Sequence, residues 1–311
     1  MKNFTFLFLF LCLSLFFTSC DKTEEKIDSE DPSFQLIENH KEIKGKVSFN
    51  GGNENCGKIY VSAQIEAAEG KYAEITFTIL SNGELVSVKY NTNTPTGHGV
   101  FYSQTIEPKK SFSIEDFKYD PQNQTVSFKF KGKIFEFPNA KSEREIEGSI
   151  QAKEIGSVGC EALIFDIRTT NPKFQFFSTT SSSGKSLSNV TNEYYDYRYN
   201  TFSNSGQHLV LKLENGISSY LGQEIDLDVE NQKNWVEYME YIGPFTANYN
   251  YSINPGEWKK FKVKGKIQSL KKHSNPPESF GTYYEGFMVL DIYDNEKLIV
   301  ENAVLPFELS K

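Results

Sequence analysis

The chain has little of what most catalytic machinery needs. Its four histidines, His40, His98, His208 and His273, are followed by Lys, Gly, Leu and Ser, so no HExxH pair exists to hold a catalytic zinc. No serine carries the flanking glycines of a GxSxG nucleophile turn. The four cysteines form no CxxC pair, which leaves out a zinc-finger type of site. No basic stripe appears in a chain of net charge −8, so nucleic acid is not an expected partner. Sustained helical periodicity is almost absent as well, and with it any expectation of helical crossovers between parallel strands. No metal and no cofactor is expected.

What is present begins with MKNFTFLFLFLCLSLFFTSCDKTEEK. Lys2 precedes an apolar run from Phe4 to Phe17, too short to span a bilayer comfortably and flanked like a signal peptide. Thr18 and Ser19 then lead to Cys20. The stretch resembles the lipobox of bacterial lipoproteins, with Phe17 standing where that box prefers Leu. The resemblance implies cleavage after residue 19, lipid on the Cys20 thiol and acylation of its freed amine, and several acyl chains anchor a protein stably. Residues 21–33, DKTEEKIDSEDPS, hold six acids against two lysines and read as a flexible tether. Acidic residues so soon after the cysteine also resemble the export signal of Bacteroidota surface lipoproteins. That likeness implies an outer-membrane, surface-exposed protein whose membrane contact is its lipid.

Two cysteines remain after Cys20, and in an exported chain Cys56 and Cys160 invite one disulfide. From Glu42 onward the sequence alternates. KGKVSF, GKIYVSAQI, AEITFTI, ELVSVKY, TVSFKFKGKIFEF and ALIFDI place apolar residues at every second position. Turn chemistry at SNGE (81–84), DPQNQ (120–124), ENGI (214–217) and NPGE (254–257) punctuates them. The fold class expected is all-β, with two antiparallel β-sandwich-like domains over 36–168 and 172–311 after a leader (1–19) and a tether (20–35). One extended sandwich of both halves is the rival. KNWVEYMEYIGP fits a helix, with Trp235, Met239 and Ile242 on one face, or a strand. A glycine between charged or polar residues recurs in IKGKV, FKGKI, IEGSI and VKGKI, where a strand glycine signals a bulge or a close backbone approach.

Other stretches look less specific. SSSGKSLS (181–188) contains GKS but has Thr179 where a phosphate loop needs its first glycine, so a polar loop is expected. Asp226, Asp228 and Glu230 alternate like part of a calcium loop, but the turn glycine and distal Glu are missing, and a solvated strand face explains them better. The aromatic residues are unevenly spread. Five of 17 tyrosines precede residue 172, and twelve follow it together with both tryptophans. Trp235, Trp258, Tyr283 and Tyr284 are the first candidates for an exposed ligand platform, with Tyr195 and Tyr197 on one side of a strand in EYYDYRY. Aromatic faces stack on sugars or pack on proteins, although they also suit half-buried strands. The sequence therefore suggests a lipid-anchored, non-catalytic surface protein that binds a glycan or a protein. A surface hydrolase with paired carboxylates and an assembly lipoprotein of the outer membrane are the alternatives.

Overall fold

Lys58–Ala68, KIYVSAQIEAA, shows how the alternation becomes structure: Ile59, Val61, Ala63 and Ile65 are buried while the residues between them are partly exposed. Each such aliphatic side chain contributes about 1.5–3 kcal/mol on burial. The computed structural model describes residues 32–68, 70–94, 97–136, 141–158, 163–169, 173–187, 194–243, 255–274 and 281–310. The leader, Cys20, the tether to residue 31 and Cys160 therefore lie outside the described residues.

The first half supplies β1 (Ser33–Glu38), β2 (Lys41–Glu42), β3 (Lys46–Asn55), β4 (Lys58–Ala68), β5 (Lys71–Leu80) and β6 (Leu85–Thr94). It continues with β7 (Gly97–Tyr102), β8 (Phe112–Asp120), β9 (Thr125–Glu136), β10 (Glu143–Ala152) and β11 (Ile155–Ser157). These strands form one sheet in the order β11-β3-β4-β5-β6-β7-β9-β10-β1-β2, with β8 also on β9. The sheet curls around a single core. Asn50 on β3 donates to Ser33 O (3.0 Å) and Gln151 O (2.8 Å), and β11, just past the end of β10, pairs in parallel with β3. Inside it lies a buried ion pair: Glu38 meets Arg144, and the Tyr90 hydroxyl donates to Glu38 Oε2 at 3.1 Å. Burial pushes the Tyr90 pKa up to about 12, and a hydrogen bond with Thr92 opposes the shift.

The second half supplies β12 (Phe165–Thr169), β13 (Phe176–Leu187), β14 (Tyr194–Ser203), β15 (Gln207–Glu214) and β16 (Ile225–Asp228). After them come β17 (Trp235–Tyr241), β18 (Trp258–Lys272), β19 (Tyr283–Asp294) and β20 (Lys297–Ser310). Eight of the nine close into a barrel, β12-β13-β14-β15-β17-β18-β19-β20 and back to β12. The fifteen-residue β18 makes closure workable: its start pairs with β17, its later part with β16, and its other edge runs along β19. Phe165, Tyr199, Leu211, Tyr238, Met288 and Phe307 are among the side chains packed in the core.

The all-β expectation holds; alternation sets which residues share a face, not how a sheet ends, and the second half ends by closing on itself. KNWVEYMEY forms β17, with Val236 and Tyr238 inside and Ile242 exposed beyond its end. SSSGKSLS is not a loop; pairing with β14 makes most of it part of β13. SNGE and DPQNQ turn β5 into β6 and β8 into β9, but ENGI enters a short 3-10 helix, Ile217–Tyr220. At Gly45, Gly132, Gly148 and Gly265 any Cβ would collide with a neighbouring carbonyl, of Glu66, Ser111, Gln35 and Val289 respectively. The recurring glycine thus marks close approach.

Pro32–Lys311 form one unit. The sequence reading put residues up to 168 in the first half, yet β12 pairs with β20 and β13, so the chain changes sheet before Phe165. Among the described residues the sheets meet at two places. At one, the β3–β4 turn, with Cys56 and Gly57 both at positive φ (50° and 77°), offers Cys56 O to Arg168, while Lys58 Nζ donates to Thr179 O at 3.0 Å. At the other, Glu107 N donates to Asn204 O (2.8 Å) and Ser205 Oγ to Glu84 Oε1 (2.9 Å).

Candidate ligand-binding face

On β14, β15 and β17 the inward residues, such as Tyr199, Leu209 and Tyr238, fill the barrel, so the residues between them must lie on its outer surface. The cross-strand register sets these in rows. Phe202, His208, Met239 and Lys260 form one row, and Asn200, Val210 and Glu237 the next. Arg198, Lys212 and Trp235 form a third, and Trp258 lies beside Tyr241 at the other end. β13 extends the surface with the small residues Thr180, Ser182 and Gly184, opposite Phe202, Asn200 and Arg198.

Val210, Met239 and Trp258 are buried here against Ile106 from the β7–β8 connection of the first half, with Phe202, Trp235 and Tyr241 half-buried around them. The Phe202 and His208 rings stack at 3.8 Å and 10°. Trp258 crosses His208 at 5.6 Å and 70°, Phe202 at 6.1 Å and 67°, and Tyr241 at 5.4 Å and 64°. The Arg198 guanidinium lies 5.8 Å from the Trp235 ring centroid, within cation–π range. The other charges are matched in pairs: Lys260 with Glu237 at 2.9 Å, and Lys212 with Asp196 at 3.1 Å. Burial drives the His208 pKa down to about 4, with the Lys260 charge adding to the effect, so the imidazole is neutral at pH 7. His208 Nε2 and Trp258 Nε1 are buried without a hydrogen-bond partner.

The expected platform of four exposed rings needs correction. Trp235 lies half-buried on the outer face, but Trp258 is only 7% exposed. Tyr284 belongs to the barrel core. Tyr283 points the other way and is still fully buried, its hydroxyl donating to Leu163 O where the chain crosses between sheets. Tyr195 and Tyr197 do share a side of β14, but it is the inward side. Tyr197 packs on the core with Lys185 Nζ 5.5 Å from its ring centroid, and Tyr195 is 46% exposed near the strand end. Phe202, His208, Tyr241 and Arg198 escaped the sequence reading. For Arg198 and Phe202 the signal was the other parity of YRYNTF, where Arg198, Asn200 and Phe202 alternate with Tyr197, Tyr199 and Thr201.

Cys56 is disulfide-bonded. Asp228 accepts from Glu230 N at 3.0 Å and pairs with Lys264 at 3.3 Å, so both its oxygens are engaged. Among the described residues no group of three or more His, Cys, Asp or Glu side chains is placed to hold a metal, and no helix is long and apolar enough to cross a membrane. A separate concavity of about 340 Å³ over β1, β9 and β10 is lined by His40, Lys131, Lys133, Glu145 and Glu147, and its charges pair locally, His40 with Glu145 at 3.2 Å and Lys131 with Glu147 at 3.3 Å. Comparison with protein-family models, with curated proteins and with solved structures gives no match.

Proposed function

We propose that this protein is a non-catalytic binding protein, held at the cell surface by lipid on Cys20, that takes a glycan on the outer face of β13, β14, β15 and β17. We also propose that Cys160 is the disulfide partner of Cys56. The observation that carries the binding reading is the outer cluster itself: half-buried Phe202, Trp235 and Tyr241 beside Asn200, Arg198 and Ser182, on a sheet whose inner face already fills the core. Rings flanked by hydrogen-bonding side chains suit a sugar, which presents C–H faces and hydroxyl edges together. Asp196 and Glu237 are each neutralised by a lysine, which favours binding over acid–base chemistry on this face.

The test is a glycan array probed with the full mature chain, followed by calorimetry on Trp235→Ala and Phe202→Ala. A stacking ring at a binding hot spot contributes roughly 2 kcal/mol or more, about thirtyfold in affinity. Loss of binding with the thermal midpoint kept supports the face, and unchanged affinity in both variants refutes it. The anchor is tested separately: Cys20→Ser should move the protein from the detergent phase to the aqueous phase.

A further inference from the structure

We infer that Arg198 selects the ligand's charge on this face, and that the glycan it takes carries carboxylates, as a uronic-acid oligosaccharide does. The inference rests on the glycan reading above and adds the chemical class of the sugar and the residue that recognises it. The other cations in these rows have acids of their own: Lys212 is paired with Asp196 at 3.1 Å and Lys260 with Glu237 at 2.9 Å. Arg198 is exposed in the same rows, and among the described residues it has no carboxylate and no hydrogen-bond acceptor; its partner is the Trp235 ring, 5.8 Å away. Three cations against two acids leave one positive charge in excess, and it sits on Arg198.

Water can serve an exposed guanidinium, so a missing acid alone would say little. What points to a ligand is the company Arg198 keeps. Gly184 stands directly opposite it on β13, with nothing within 4 Å of where a Cβ would be, and Ser182 stands opposite Asn200 in the next row. Neither the Ser182 hydroxyl nor the Asn200 amide has a protein partner among the described residues. Residues two apart on a strand lie about 6.7 Å apart and neighbouring strands about 4.8 Å, so Arg198, Asn200 and Ser182 border one low strip that Gly184 leaves open. A guanidinium offers a carboxylate two parallel N–H groups, a match that an ammonium lacks, and stacking on an indole holds that planar fork in place. Asn200 and Ser182 both donate and accept, which suits the hydroxyls of the same sugar. Asp196 and Glu237 are already neutralised by their lysines, so they do not oppose an incoming carboxylate as free charges.

The test uses the full mature chain on an array of uronic-acid, sulfated and neutral oligosaccharides, then calorimetry on wild type, Arg198→Gln, Arg198→Lys and Trp235→Ala. The best uronic-acid oligosaccharide is also carboxyl-reduced, which turns each carboxylate into a neutral alcohol on the same sugar. The expected result is a preference for uronic acids, with affinity falling about ten- to hundredfold in Arg198→Gln, the loss of one charge-assisted contact. Arg198→Lys should recover only part of it, because the ammonium keeps the charge and lacks the fork. Carboxyl reduction should weaken wild type by a similar factor and leave Arg198→Gln nearly unaffected. A merely structural arginine would show no such coupling, and the wild-type comparison holds even if a variant fails to fold. If Arg198→Gln binds the uronic acid like wild type, or neutral sugars are preferred while Trp235→Ala abolishes binding, the face stands and this assignment is refuted. Binding of sulfated sugars alone overturns the carboxylate. An array on which nothing binds overturns the glycan reading and this inference with it.

Discussion

The two sheets treat their aromatic residues differently. In the first, the rings pack on one another inside: Phe77 sits 4.9 Å from both Phe128 and Phe130, and Phe112 stacks with Phe130 at 6.2 Å. In the second, Phe165, Tyr199 and Phe307 fill the core, and another cluster of Phe202, Tyr241, Trp235 and Trp258 is built on the outside wall. A ring in a core contributes stability. The outer rings pack among themselves and against Ile106 of the first half, with Trp235 half-buried among them. The aromatic content of a region therefore does not say where its rings lie; which face of the strand carries them does.

The largest expected effect would break the comparison from the first sheet's side. Removing the Cys56 disulfide by Cys56→Ser should cost about 4–5 kcal/mol in the chain-entropy picture, since the proposed bridge to Cys160 closes a loop of about 100 residues. Mass spectrometry of unreduced peptides checks the pairing, and denaturation checks the cost. Next come the inner rings: Phe77→Ala should cost about 3–5 kcal/mol, whereas Trp235→Ala should cost less than about 1 kcal/mol by the same chemical denaturation. Equal losses would erase the distinction between inner and outer rings.

The buried pair sharpens the contrast. Arg144→Met leaves the fully buried Glu38 carboxylate uncompensated and should cost roughly 3–5 kcal/mol. Adding Glu38→Gln should recover much of that loss, which a double-mutant cycle measures. A smaller effect distinguishes the outer face. His208 has its pKa lowered from 6.5 to about 4, so between those values the unfolded chain takes up a proton that the folded one refuses. Stability from this group is complete above about pH 6.5 and declines as pH falls toward 4, by at most about 3 kcal/mol. His208→Phe should flatten that part of the stability–pH curve; an unchanged slope would mean the imidazole is not held neutral.

Much of the fold could be read from alternation because one strand face is dry. Ile59, Val61, Ala63 and Ile65 of β4 announce their own side, and Asn82-Gly83 announces the β5–β6 turn. SSSGKSLS could not be read, because its strand state comes from its neighbour β14 rather than from apolar residues of its own. The proposed binding face was half legible. The tyrosines of EYYDYRY do share a side, but only closure of the barrel decides that this side faces inward and that Arg198, Asn200 and Phe202 face out. Tyr283 misled for a tertiary reason, since its outward ring is covered by the chain at Leu163, far away in sequence.

The central claim is that ligand lands on the outer wall of the barrel. Amide hydrogen exchange of the full mature chain, with and without the oligosaccharide that binds best on the array, tests it most directly. Slowed exchange confined to β13, β14, β15 and β17, within 180–184, 196–212 and 235–241, is the predicted result. Protection confined to the first sheet, with those segments unchanged, would contradict the account.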